Sequence, residues 1–458
     1  MHRIEVIVGQ GISWSLGSQA SVTAHTHPVA LRNTAASKGT KIVRLMLASG
    51  IAFAHWHACA SETDGSVDQE LQTQPKQRLE LADWRTRINA GEAREAISVI
   101  ASDIEALKKE SGPYDETLID LYTVLGDAHY RLDHYRDALS AYRVASDISR
   151  IANGLHSPEH IGLAYREANM LARIGAWQSA NDRHEYAYSI VLREYEEESD
   201  PRRIQGQIRL VDWYESTRKF RAALVVYDKL RSHVKQHYPP AHSFALAVRR
   251  SYVQALRETS FPMPDTKLAP WFRPRVPGWE PKPFRRRLSN YELGKEELES
   301  IGHIVLTNPV ATNEEQASAL LDLADWHVLF NRPHKGIQLY RDAWDLLEPT
   351  PDLLEEAFAQ PKLIHMNVTR SWVSPERMDK EQIRVGVVQL SLHVNNRGTV
   401  VGRKTVATSP DNRMEYRVRV IAERAKYRPA FKDGESVRAR NVPLVYNYAL
   451  SRSLSPRR

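Results

Sequence analysis

The sequence predicts a mainly helical protein, a solenoid of paired helices closed by a small C-terminal α+β domain of antiparallel sheet plus one helix. Three observations carry this. Small and aromatic residues recur in a ladder with a period of 42 or 43 residues between Trp84 and Val211. A proline-dense stretch interrupts the helical pattern at residues 261–284. From Ile383 onward, the periodicity changes from helical to alternating. A chain of 458 residues accommodates such an array with a terminal domain. Its 42% hydrophobic and 26% charged content is ordinary for a folded protein.

Residues 1–60 read as an N-terminal extension with an export signal. Lys38, Lys41 and Arg44 precede the apolar run "LMLASGIAFAHW", followed by "HACA" and the polar "SETDG". The run is shorter than the roughly 20 residues that span a bilayer. Ala58-Cys59-Ala60 fits a small-x-small cleavage rule, with the cut before Ser61 and a periplasmic mature chain. The alternatives are a short buried helix, a lipid anchor on Cys59 and an uncleaved membrane anchor. Cleavage before Ser61 would remove the one cysteine, excluding disulfides and thiol chemistry from the mature chain. The formal charge is +7, but the first 60 residues hold five basic side chains and one acidic, leaving +3 on the remainder. That balance does not favour a nucleic-acid partner. The remaining basic clusters are "FRRR" at 284–287 and the tail 449–458.

Residues 61–260 carry the repeats. In "YTVLGDAHYRLDHYRDALSAYRVA" (122–145), Gly126 is small where two helices must approach. Tyr135, Ala138, Tyr142 and Ala145 then form one face of a second helix. The ladder returns at Ala168, Gly175, Trp177, Ala180 and Ala187, and again at Tyr214, Phe220, Ala223 and Tyr227. A weaker copy precedes them at Gly91, Ala93 and Ala96. Aligned on Trp84, Gly126, Ala168 and Val211, the units are longer than the minimal 34-residue helical hairpin. The pattern resembles the tetratricopeptide (TPR) repeat, with His129 departing from the aromatic usual late in the first helix. That resemblance implies a surface for protein or peptide partners. The ladder residues Tyr135, Tyr142, Trp177 and Tyr227 are expected in the core, while the binding residues of the array are unknown at this level.

"SFALAVRRSYVQALRE" (243–258) reads as the first helix of a fifth unit. The Pro-rich insertion 261–284 follows, with Trp271, Phe272 and Trp279; at this proline density it is extended. It is either a recognition arm or a loop packed over the side of the array. Residues 285–360 hold further helices and a last TPR-like unit, with Ala324, His327, Gly336, Tyr340 and Ala343 at the ladder offsets and Pro333 starting its second helix.

The terminal module covers 361–448, with its core at 383–448. In "IRVGVVQLSLHV", Gly386, Val388, Leu390, Leu392 and Val394 form the apolar face, and Val385, Val387, Gln389, Ser391 and His393 the other. "NNRG" supplies a hairpin turn with Gly398 at positive φ. "MEYRVRVIAERAKYRPAF" follows as an amphipathic helix, "KDGE" as a tight turn and "SVRARNVPLVYNY" as the closing strand. This order, with Gly386, Gly398, Val400, Tyr427, Pro429, Ala430, Gly434 and Val437, resembles the C-terminal domain of TonB. The resemblance implies a periplasmic module that pairs a partner's extended segment against a sheet edge. The chain departs from a TonB energy transducer in its short signal and in having helices where that family has a Pro-rich spacer. A module covering the last hydrophobic face of the array is the competing role.

Phosphate-binding glycine loops, a His-Glu-x-x-His pair and a Gly-x-Ser-x-Gly nucleophile setting are all absent. No cofactor, metal or catalytic residue is therefore expected, and no small-molecule substrate. Together these features imply an exported, non-enzymatic adaptor of the bacterial cell envelope with protein or peptide partners, an envelope or outer-membrane protein among the candidates. The alternatives are a TonB-type energy transducer or regulator of TonB-dependent transport, and an accessory subunit of an envelope enzyme.

Overall fold

The computed structural model describes residues 6–7, 75–261, 271–278, 288–366, 384–409, 412 and 414–450. The proposed signal, Cys59, Trp279, the 284–287 cluster and residues 451–458 of the basic tail lie outside them, while 449–450 belong to the last strand. The chain divides into two compact units: Ala58–Ala311, and Met1–His57 together with Thr312–Arg458.

In the first unit the helices alternate in antiparallel pairs. They are α1 (Pro75–Asn89), α2 (Ala93–Ser111), α3 (Thr117–Arg131), α4 (Tyr135–Asn153), α5 (Glu159–Arg173), α6 (Trp177–Glu194), α7 (Pro201–Ser216), α8 (Phe220–His237), α9 (Ser243–Ser260) and α10 (Asn290–Thr307). The first helices of successive pairs begin at 75, 117, 159, 201 and 243, a constant period of 42 residues. A three-residue turn joins each of the first four pairs, and its middle residue is left-handed: Gly91, Asp133, Gly175 and Arg218. The fifth pair differs, because residues 261–289 stand where the others have that turn.

The ladder explains how the pairs close. A Cβ on Gly126 would lie 2.4 Å from the Tyr142 ring, so only glycine lets α3 and α4 approach this closely. The Tyr142 hydroxyl donates to Asp127 at 2.6 Å, and Arg166 of the next pair reaches the same carboxylate at 3.3 Å. Tyr142 and Tyr227 are buried as expected, whereas Tyr135 and Trp177 are half-buried. Each of these two opens its helix beside the turn, where cover is incomplete. Near the end of the unit Glu297 of α10 receives Arg231 of α8 and Arg249 of α9, so one buried carboxylate joins three helices.

The second unit starts with α11 (Asn313–Leu329), α12 (Pro333–Leu347) and α13 (Pro351–Phe358). Thr312 and Glu315 form a reciprocal capping box at the start of α11, and Pro333 is the first residue of α12. The α11–α12 turn again has three residues, with Asn331 left-handed at its centre.

The strands are β1 (Val6–Ile7), β2 (Lys362–His365), β3 (Arg384–Val394), β4 (Val400–Ser409), β5 (Lys426–Arg428), β6 (Ala430–Lys432), β7 (Glu435–Val437) and β8 (Ala439–Leu450); α14 (Glu415–Glu423) precedes β5. The main sheet has the order β1-β8-β3-β4 and is antiparallel throughout. Val388, Leu390, Leu392 and Val394 of β3 are buried, with Val418 and Ala422 of α14 in the same cluster as Leu444 and Tyr446. Alternation therefore assigns the faces as the sequence indicates. The expected closing strand is two: β7 pairs with β6 across Asp433-Gly434, both at positive φ, and β8 returns to the main sheet. The fold is thus a helical repeat array followed by antiparallel strands and one helix packed on them.

The short strands β5 and β6, which pair with β2 and β7 outside the main sheet, hold the strands to the helical part of their own unit. Phe431 of β6 sits in a core cluster with Tyr340, Phe358 and Leu347, its ring 4.9 Å from that of Phe358. Arg428 of β5 makes a two-pronged ion pair with Asp325 of α11, at 3.1 and 2.7 Å. Asp325 also accepts from the Tyr340 hydroxyl at 2.7 Å. Burial opposes a charge on Arg428, and the carboxylate of Asp325 overcomes it, so its pKa is raised and the guanidinium stays ionised.

Candidate functional site

Residues 271–278 of the insertion lie on a surface made by α6, α7 and the α7–α8 turn, all within the first unit. The surface starts from helical periodicity: Gln178 and Glu185, seven residues apart, share one face of α6. Asn181, between them, accepts from the indole Nε1 of Trp213 at 3.1 Å, which fixes that ring. Trp213 stacks on His184, with centroids 4.3 Å apart, and on Trp177 at 6.4 Å. Glu185 accepts from the Tyr214 hydroxyl at 2.8 Å. The helices thus build an aromatic platform flanked by acceptors.

The segment meets this platform as an extended ligand would. Phe272 is 4% exposed and stacks on Trp213 with centroids 5.7 Å apart. The ammonium of Lys219 lies 4.5 Å from the Phe272 centroid. The amide of Arg273 donates to Gln178 at 2.9 Å, and that of Arg275 donates to Glu185 at 2.6 Å. At the far end Lys229 donates to the carbonyl of Gly278 at 3.1 Å. Trp271, by contrast, is 73% exposed, so the buried aromatic of the segment is its phenylalanine. A cleft of about 480 Å³ lies beside the segment, lined by Gln178, Asp182, Trp271, Arg273 and Arg275. A second cleft, with Arg143, Arg183 and Tyr186 among its lining residues, also borders Asp182.

Burial sets the protonation of the platform. The imidazole of His184 is pushed down to about 3, first by burial and then by the charge of Arg209, and is neutral near pH 7. Burial also lowers Lys219. Elsewhere in the array, burial pushes the Glu215 carboxyl up to about 7 against the hydrogen bond from Tyr227.

Among the described residues one group could hold a metal ion: His129, His134 and Asp137, whose ligand atoms lie within 4.8 Å of one another. Burial lowers the pKa of His129, leaving a neutral imidazole.

The second candidate surface is the outer edge of β8, where Val6–Ile7 pair antiparallel with Tyr446 and Val445. Proline is accommodated in a strand where its nitrogen faces away from the ladder, so the nitrogen of Pro443 faces this edge. Alternation then turns the amide of Val445 outward as well. No helix among the described residues is long and apolar enough to cross a membrane.

No protein-family model matches the sequence. No curated protein matches it either. Solved structures do overlap with it. A putative kinesin light chain with nearly identical TPR-like repeats from Podosopora anserina is 13% identical with a TM-score of 0.35, covering 50% of this chain and 94% of that one. BtubC (BKLC) from P. vanneervenii is 14% identical with a TM-score of 0.32, over 62% and 97%. NprR in complex with its cognate peptide NprX is 12% identical with a TM-score of 0.27, over 67% and 80%. Superpositions at these scores speak to neither partner nor activity.

Proposed function

We propose that the protein is a non-enzymatic, protein-binding adaptor that works in the bacterial cell envelope. The observation that carries the binding role is the α6–α8 surface, which already holds an extended segment through two main-chain amides and one buried phenylalanine. Helical repeats bury their faces against neighbours and leave long surfaces of this kind for partners. The sheet module supplies a second mode, addition of a partner strand along β8 in place of Val6–Ile7, which pair there with Tyr446 and Val445. The strand–turn–strand–helix–strand order that resembles TonB, and the export signal before Ser61, support the envelope as the compartment.

Two measurements test this. The mass of the protein recovered from the cell envelope gives a start at Ser61 if the signal is cleaved; an intact cytosolic chain refutes the compartment. In parallel, the full chain and its Val445→Pro variant are used to capture envelope proteins. Proline at 445 removes one outward donor and leaves the β3 ladder in place. A protein retained by the parent and lost from V445P is expected. Equal retention by both removes the edge mode.

A further inference from the structure

The α9–α10 connection is long where five other pairs manage with three residues, and its central part is not idle. Three features make residues 271–278 resemble a bound peptide more than a packed loop. The contacts are to the main chain and to one aromatic side chain, while Trp271, Arg273 and Arg275 project into solvent. Pro274 and Pro277 hold the segment extended and remove competing amides. The receiving surface is organised by bonds within the helices, Trp213 to Asn181 and Tyr214 to Glu185, that do not involve the segment.

We propose that residues 271–278 are an intramolecular competitor occupying a peptide site on α6–α8, and that the site's external ligand is an extended segment with a phenylalanine followed by free amides one and three residues on. This rests on the peptide-binding reading of the array and adds its specificity and regulation. Phe272 marks the selective position, over Trp213 and beneath Lys219. Glu185 and Asp182 border the path of Arg273 and Arg275, so basic flanking residues suit the site. A partner binds by displacing the segment from this surface.

The test uses the full chain and a fluorescein-labelled peptide, APWFRPRVPG, copied from residues 269–278. Two variants loosen the internal segment and leave the receiving surface unaltered: Phe272→Ala, which removes the buried ring, and Arg275→Pro, which removes the amide given to Glu185. F272A is expected to bind the peptide at least about tenfold more tightly than the parent, the size set by one buried aromatic, and R275P about tenfold more tightly, the size set by one hydrogen bond to a carboxylate. Adding Trp213→Ala to F272A should abolish that gain. Circular dichroism and melting of each variant establish that the helices are intact. Equal affinity for parent and variants, or no binding to folded F272A and R275P, overturns the proposal. If those variants ignore the peptide but the chain still captures an envelope protein, the competitor role fails and the adaptor role stands. If both fail, so does the adaptor.

Discussion

Asp325 and Arg428 should respond very differently to truncation, although they are partners in one ion pair. The Arg428 side chain is 6% exposed, and that of Asp325 is 24% exposed. Replacing Asp325 by Ala strands a guanidinium that water cannot reach and leaves the Tyr340 hydroxyl without its acceptor. The expected cost is roughly 3–5 kcal/mol, as for other buried pairs cut on one side. Replacing Arg428 by Met keeps most of the buried volume. Asp325 retains the Tyr340 hydrogen bond and partial contact with water, so the cost falls to about 1–3 kcal/mol. The double variant should be more stable than D325A alone, with a coupling on the order of 1–3 kcal/mol. Because the chain has two units, a global melt mixes their transitions. Hydrogen exchange at the amides of Leu390 and Leu444, in the core of the sheet, reads the second unit by itself. Equal losses in the two single variants, or a double variant no better than D325A, would refute the account of an uncompensated buried charge.

Three further outcomes follow from the structure. At Gly398, φ is +75° and an added Cβ would lie 1.7 Å from the Tyr427 carbonyl oxygen, so Gly398→Ala should cost roughly 2–4 kcal/mol in urea unfolding; a neutral result means that this turn is not held as described. His184 has its folded pKa depressed to about 3 from 6.5, so the stability it contributes is present above pH 6.5 and lost as pH falls toward 3; His184→Phe should flatten roughly 1–3 kcal/mol of that acid dependence in melts at pH 4 and 7. Glu215 has its folded pKa raised to about 7 from 4.5, so its contribution is present below 4.5 and lost as pH rises through 7; Glu215→Gln, which keeps an acceptor for Tyr227, should gain roughly 1 kcal/mol at pH 8 and nothing at pH 4.

The repeat period was legible because its ladder is made of residues with few substitutes. Gly126 against Tyr142 is a steric identity, and Tyr142 and Tyr227 are buried where the offsets put them. The turns were legible only in part. Gly91 and Gly175 announce a left-handed residue, whereas Arg218 holds the same conformation with no local signal. The faces of β3 could be read from alternation, because one side of the sheet is covered by α14. The binding surface could not. Helical periodicity places Gln178 and Glu185 on one face of α6, but their partners are amides 95 and 90 residues away. Residue type alone does not rank the aromatics of the insertion: tryptophan is the larger, yet Phe272 is the one that faces Trp213. The Arg428–Asp325 pair was invisible for a similar reason, as its members are 103 residues apart.

The carboxylate–tyrosine pair at Asp127 and Tyr142 recurs as Asp325 and Tyr340, its members 15 positions apart in both cases. In the earlier pair the arriving cation, Arg166, belongs to the following helical hairpin; in the later one Arg428 comes from a strand. Strand β5 therefore uses the docking point that a further repeat would use. Any additional hairpin introduced after Leu347 would have to evict Arg428 before it could stack. At this end of the array the socket is occupied, and what occupies it is one arginine on a three-residue strand.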